Sequence, residues 1–280
     1  MASQSAARKP VDAGLQQIGF GGFMPTSIPV EMETSMLDQA DHLKSIQRDR
    51  EDLASAIRLA AHFDMHEGIC NHFSVQCDGP EERYLINAYG WHWTEMTPER
   101  LLLIDGDGNV LEGDGEVEAS ARNIHISSHR ANPRHKAILH VHMPYATSIS
   151  MLEGGRLLMA HQTACRFYGR IGYEEEFGGI ALTEEEGERI AREAKSKAHV
   201  DCLFLANHGV VCSGPTVAQA FDDLYYLERA ARQQVLAQST GQTLKLIPEA
   251  TVELTAKQFQ ADFEVYAGKH FEALKRLVAL

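Results

Sequence analysis

Periodicity is the first signal along the chain. Between Asp49 and Asp64 the apolar residues Leu53, Ala56, Ile57, Leu59, Ala60 and Phe63 recur at three- to four-residue steps, which predicts an amphipathic helix. The period then changes. In GICNHFSVQCDG, Phe73, Val75 and Cys77 alternate with other residues up to an Asp-Gly turn, and RYLINAYG follows, so the helix feeds a hairpin. LLLIDGDGNVLEGDGEVEA predicts two short strands about a turn rich in Asp and Gly; it lacks the ligand spacing and closing glutamate of a calcium loop. ASARNIHISSHRANP is helical up to Pro133, and AILHVHMPYATSISML begins as a strand and continues as a helix. LFLANHGVVCSG is an apolar strand pair around a turn, VAQAFDDLYYLERAARQQVLAQS is a long amphipathic helix, and a last helix is expected from about Val252 to Val278. Residues 1–35 mix Gly, Pro, Ser and Met without period and read as a flexible N-terminal tail. No linker or repeat divides residues 36–280, which read as one α/β domain of three layers with an additional C-terminal helix.

Composition narrows the function classes. The 280 residues carry 26 Lys+Arg against 39 Asp+Glu, a net charge of −13 with no basic stripe, which argues against nucleic acid as a partner. No apolar run approaches the ~20 residues that span a bilayer, and the N-terminus lacks the apolar centre of a signal peptide, so no membrane association and a cytoplasmic location are expected. Cys70, Cys77, Cys165, Cys202 and Cys212 form an odd, scattered set that suits reduced, mostly buried thiols. A chain of this length buries roughly 75% of its unfolded surface, so the core needs no structural metal, and any metal is expected to be functional.

Among the 14 histidines, His140-Val141-His142 at the end of an apolar strand carries the strongest chemical signal. In an extended chain residues i and i+2 share a face, so both imidazoles project one way, as half of a divalent-metal site or as a packed pair. His208, where a second apolar strand stops at Asn-His-Gly, suits a third ligand, with Gly209 permitting close backbone approach. His125 and His129 sit at i and i+4 on one predicted helix face, a spacing that chelates zinc or, without a third partner, leaves them to support neighbouring groups or to lie at the surface. His72 is either a hydrogen-bonded structural histidine or a group that binds a carboxylate or moves a proton.

HVHMPYATSIS, LANHGVVCSG, EGICNHFSV and LINAYGWHWTEMTPERLLLID together resemble the class II aldolase/adducin family over about residues 50–240. That resemblance implies a three-layer α/β/α fold with a central, mostly antiparallel sheet. It also implies a homotetramer with active sites at subunit interfaces, and Zn²⁺ held by His140, His142 and His208, with Fe²⁺ or Mn²⁺ as alternatives. Catalytic candidates are His72 and Tyr145; substrate-binding candidates are Asn71, Ser74, Gly90, Ser120 and His125. Two departures stand out. The family's sugar-phosphate aldolases place an acid/base glutamate after two serines; here those positions are Ala119, Ser120 and Ala121, with Glu118 nearby. Their glycine-asparagine phosphate cradle corresponds to Asn71-His72, which points away from a phosphorylated sugar. The expected function is metal-dependent C–C bond cleavage, of aldolase or decarboxylase type, on a non-phosphorylated hydroxy or keto acid or an aromatic substrate. The alternatives are a non-haem Fe(II) oxygenase cleaving an aryl keto or hydroxy acid on the same fold, and a non-catalytic adducin-like interaction module.

Overall fold

Alternate residues of a strand face opposite ways, and here the two sets meet different helices. The computed structural model describes residues 30–180, 183–196 and 199–279, and Ala40–Leu280 group as one compact unit. Among the described residues one sheet contains β1 (His72–Gln76), β2 (Arg83–Asn87), β3 (Leu101–Asp105), β4 (Val110–Glu112), β5 (Ala137–Val141), β6 (Ile171–Glu174), β7 (Cys202–Leu205) and β8 (Gly209–Gly214). Its spatial order is β4-β3-β2-β1-β5-β8-β7-β6, antiparallel throughout except for the β6–β7 pair. The helices are α1 (Val30–His62), α2 (Ala119–Ala131), α3 (Pro144–Ser150), α4 (Glu184–Ser196), α5 (Val217–Gln238), α6 (Glu249–Ala261) and α7 (Phe263–Lys275).

Phe73, Val75, Leu139, Val141, Phe204 and Val210 pack in one cluster with Leu53 and Ile57 of α1, Ile149 of α3, Phe221 and Leu224 of α5, and Phe271 of α7. The opposite face sends Ile138, Leu203 and Val211 against Ile124 of α2 and Ile190 of α4, and Ile86, Leu102 and Ile104 against Ala121 and Ile126 of α2. The result is the three-layer α/β/α architecture. Each fully buried Leu, Ile or Phe contributes roughly 1.5–3 kcal/mol through area removed from water. The edge hairpin closes as expected: Asp105 Oδ1 accepts from the backbone N–H groups of Asp107 and Asn109, both at 2.9 Å.

A buried ion network joins the helical layer to the β6–β7 edge. Arg170 Nη2 lies 2.5 Å from Asp223 Oδ2 and its Nε 2.9 Å from Asp201 Oδ2, while Arg166 pairs with Asp222. His270 Nδ1 reaches Asp222 Oδ1 at 2.7 Å and brings α7 into the same network. Each buried charge thereby meets an opposite one, the condition under which such groups are tolerated.

Three expectations change. α1 begins at Val30 rather than near Asp49, so the tail expected over residues 1–35 ends in a helix; its remainder lies outside the described residues. The single C-terminal helix is two, because the chain turns at Asp262 (φ −127°, ψ 27°) so that α6 packs on the 3-10 turn Gln162–Phe167 and α7 on α5. β6 was absent from the sequence pattern; its four residues are too few to show a period, and its parallel pairing with β7 sets its place.

Candidate metal centre

The histidines collect where β1, β5 and the β7–β8 turn meet. His140 ends β5 and pairs across the sheet with His72 of β1, while Val141 between the two β5 histidines is buried in the other face. His208 sits in the tight turn between β7 and β8, next to Asn207, whose φ of 55° is left-handed. Gly209 follows for a steric reason. A Cβ there would stand 2.6 Å from the Val141 carbonyl oxygen and 2.8 Å from His142 Cδ2, so any side chain would push the turn away from β5.

One ring nitrogen from each of His140, His142 and His208 falls within 4.8 Å of the others. The outer nitrogens fix which ones are free. His140 Nδ1 lies 3.0 Å from the Val210 carbonyl oxygen, which only accepts, so Nδ1 carries the proton and donates. His142 Nδ1 faces Glu67 Oε2 at 2.5 Å and donates to that carboxylate. In their neutral forms both imidazoles therefore present bare Nε2 atoms, and these stand 3.2 Å apart. Two lone pairs at that distance repel and cannot hydrogen-bond to each other. A tetrahedral ion with ligands at 2.0–2.1 Å separates its donors by about 3.3 Å, so a shared divalent cation fits this pair. Burial, then repulsion from His72, His208 and His142, pushes the His140 pKa well below its ordinary value. His208 is pushed down to about 4 by burial and by His142. At neutral pH both rings are in the uncharged form that binds metals. The carbonyl and carboxylate behind the rings are the usual devices that orient such ligands.

Glu67 was not singled out by sequence reasoning. It lies in a loop, and only the fold brings it to His142; its signal was a carboxylate within the EGICNHFSV motif. Asn71 orders that loop, its Oδ1 accepting from the Glu67 N–H at 2.6 Å. His72, Ser74 and His125 lie beside the triad as one buried set with His129. The remaining candidates lie elsewhere or are engaged. Ser120 Oγ donates to Glu118, and Glu118 Oε2 accepts from the Ala121 N–H at 2.8 Å, so this carboxylate caps α2. Gly90 is exposed, with φ 94° and open space around it. Tyr145 faces the helical layer, in a cavity of about 350 Å³ lined also by Phe63, Tyr225, Glu228 and Arg232; none of the triad lines it.

Comparison with known proteins follows the same motifs. The Class II Aldolase and Adducin N-terminal domain matches residues 51–235. The chain belongs to this family. Its fold superposes with a TM-score of 0.77 on an aldolase II superfamily protein from Pseudomonas syringae, 32% identical, over 84% of this chain and 93% of the other. An L-fuculose 1-phosphate aldolase from Glaciozyma antarctica PI12 superposes with a TM-score of 0.73 at 26% identity, over 91% and 94% of the two chains. A 4-hydroxy-3-prenylphenylpyruvate oxygenase/4-hydroxy-3-prenylbenzoate synthase from Streptomyces roseochromogenus subsp. oscitans is 28% identical over 193 residues, 69% of this chain and 68% of that one. Class II aldolases are generally dependent on divalent metals, and family members are typically lyases and commonly oligomeric. Among the described residues no helix is long and apolar enough to cross a membrane.

Proposed function

We propose that this chain is a metal-dependent lyase that cleaves a C–C bond of a small, non-phosphorylated hydroxy or keto acid, including aromatic ones. The observation that carries this reading is the pair of bare Nε2 atoms of His140 and His142, 3.2 Å apart with His208 beside them. These three side chains would hold Zn²⁺, or Fe²⁺ or Mn²⁺ in its place, since imidazole suits each. A divalent ion there supplies charge stabilisation for a substrate carbonyl or carboxylate and for the enolate-type charge that aldol cleavage or decarboxylation develops. Glu67 and the Val210 carbonyl keep the ligand rings turned Nε2-inward. His72, uncharged because it is buried and lies near His125, His142 and His208, stands beside the substrate position and supplies a polar contact where the family's phosphate cradle would be. Phe177, with its ring 6.3 Å from that of His208, offers an apolar wall suited to an aromatic substituent. Assembly as a homotetramer and a cytoplasmic location complete the reading.

A second reading has its own support. Ala121 occupies the acid/base position, and the prenylbenzoate synthase relative is named as an oxygenase, so oxidative cleavage by a non-haem Fe(II) enzyme is the rival. An adducin-like, non-catalytic role fits less well with three intact ligands. Anaerobic turnover of a panel of hydroxy and keto acids by the metal-loaded protein separates these readings. Product formed without O₂ supports the lyase; product formed only with matching O₂ uptake would replace it with the oxygenase.

A further inference from the structure

Behind the triad lies a buried run of polar groups that metal binding does not use. His129 Nδ1 lies 2.9 Å from the His135 carbonyl oxygen, and Ser74 Oγ lies 2.7 Å from His129 Nε2. The same Oγ lies 2.5 Å from His125 Nδ1, and His125 Nε2 lies 2.7 Å from His72 Nδ1. The run has one consistent set of proton positions for neutral rings. A carbonyl only accepts, so His129 Nδ1 donates and its Nε2 is bare. Ser74 then spends its single proton on His129 and accepts from His125 Nδ1. His125 Nε2 is left bare and accepts from His72 Nδ1. Burial favours the uncharged form at the far rings of the run: His129 is pushed down to about 3, and His125 well below the ordinary value.

The end of the run points at the metal centre. His72 stands opposite His140 in the β1–β5 register, with ring centroids 4.8 Å apart. Its remaining nitrogen, Nε2, has no protein partner among the described residues and is not among their sealed-off polar atoms. Resting on the reading that the triad takes a small acid, we propose that His125, Ser74 and His129, anchored on the His135 carbonyl, lock His72 with Nδ1 protonated and Nε2 bare. His72 is thereby a hydrogen-bond acceptor, and the site selects a substrate that places a hydroxyl donor next to its metal-binding oxygen. A carbonyl or carboxylate oxygen at that point would set lone pair against lone pair. Ser74, His125 and His129 are positioning residues in this arrangement and touch no substrate.

Long-range ¹H–¹⁵N correlation spectra of the metal-free protein, labelled at histidine and assigned with His72→Gln, read the tautomer directly. His72 is expected as the Nδ1–H form, and Ser74→Ala is expected to convert it to a mixture. An Nε2–H signature in the wild type, or an unchanged His72 in Ser74→Ala, overturns the lock, and the wild-type spectrum decides even where the variant does not fold. Glycolate and its methyl ether, methoxyacetate, then probe selection in the zinc-loaded protein, because both offer the same oxygens and only glycolate donates. A preference for glycolate of at least about tenfold in the wild type, falling toward parity in Ser74→Ala, is expected. Equal affinities in the wild type overturn the hydroxyl assignment. Failure to load zinc would sink the metal reading instead, and the tautomer result would stand apart from it.

Discussion

His129 shows how far a buried residue can be held from its solution behaviour. Its ring stacks on Tyr84 at 4.6 Å, and its pKa is pushed down to about 3, chiefly by burial. The sign of the resulting pH dependence follows from linkage. The unfolded chain protonates near 6.5 while the folded ring stays neutral, so the contribution is intact above about 6.5 and declines as pH falls toward 3, by about 1.4 kcal/mol per pH unit for each such ring. His72, His125 and His140 shift in the same direction. Urea denaturation of the metal-free protein at a series of pH values between 7 and 4 is expected to show His129→Gln with a shallower loss of stability than the wild type. Parallel curves would mean that His129 carries no such shift. At this scale the three converging histidines were legible, because the i, i+2 spacing of His140 and His142 and the Asn-His-Gly of residues 207–209 are local. Glu67 was not: nothing near it in the chain marks it as the partner of His142. The spacing of His125 and His129 was visible, but their inward orientation depends on Ser74 of a strand far away in sequence.

Elements carry the next level of control. β5 and β8 deliver His140 and position His208, and α3 begins two residues after His142. Glu228 of α5 caps that start, its two oxygens accepting from the N–H groups of Tyr145 and Ala146, both at 2.9 Å. Burial raises this carboxyl to about 7. Glu228→Ala leaves both donors without their partner, a loss of about 1–3 kcal/mol when such groups stay buried, and frees the chain that follows His142. A lowered Tm together with weaker zinc affinity in a metal titration is the expected pair of results; an affinity equal to that of the wild type would confine Glu228 to stability alone. Strand and helix positions of residues 72–150 and 202–238 followed from periodicity. The break at Asp262 did not, because apolar spacing continues across it and only packing on two different surfaces requires the turn. The start of α1 at Val30 was also hidden, since the segment ahead of Asp49 lacks a clean amphipathic stripe.

At the scale of the whole molecule, the sheet places His72, Ser74 and His140 on the side that faces α2 and α4. The other side is an apolar layer tied to α7 through Asp222 and His270. Site and scaffold are therefore divided between the two faces of one sheet. That division explains why single-chain periodicity recovers the layers while pairings such as His72 with His140 need the register. Elemental analysis of the chain purified under reducing, anaerobic conditions, alongside His140→Ala, bears most directly on the three-histidine centre. One divalent ion per chain in the wild type and none in the variant is the expected result. Metal retained at full occupancy in His140→Ala, or a wild type that takes up no Zn²⁺, Fe²⁺ or Mn²⁺ when equilibrated with each, would contradict it.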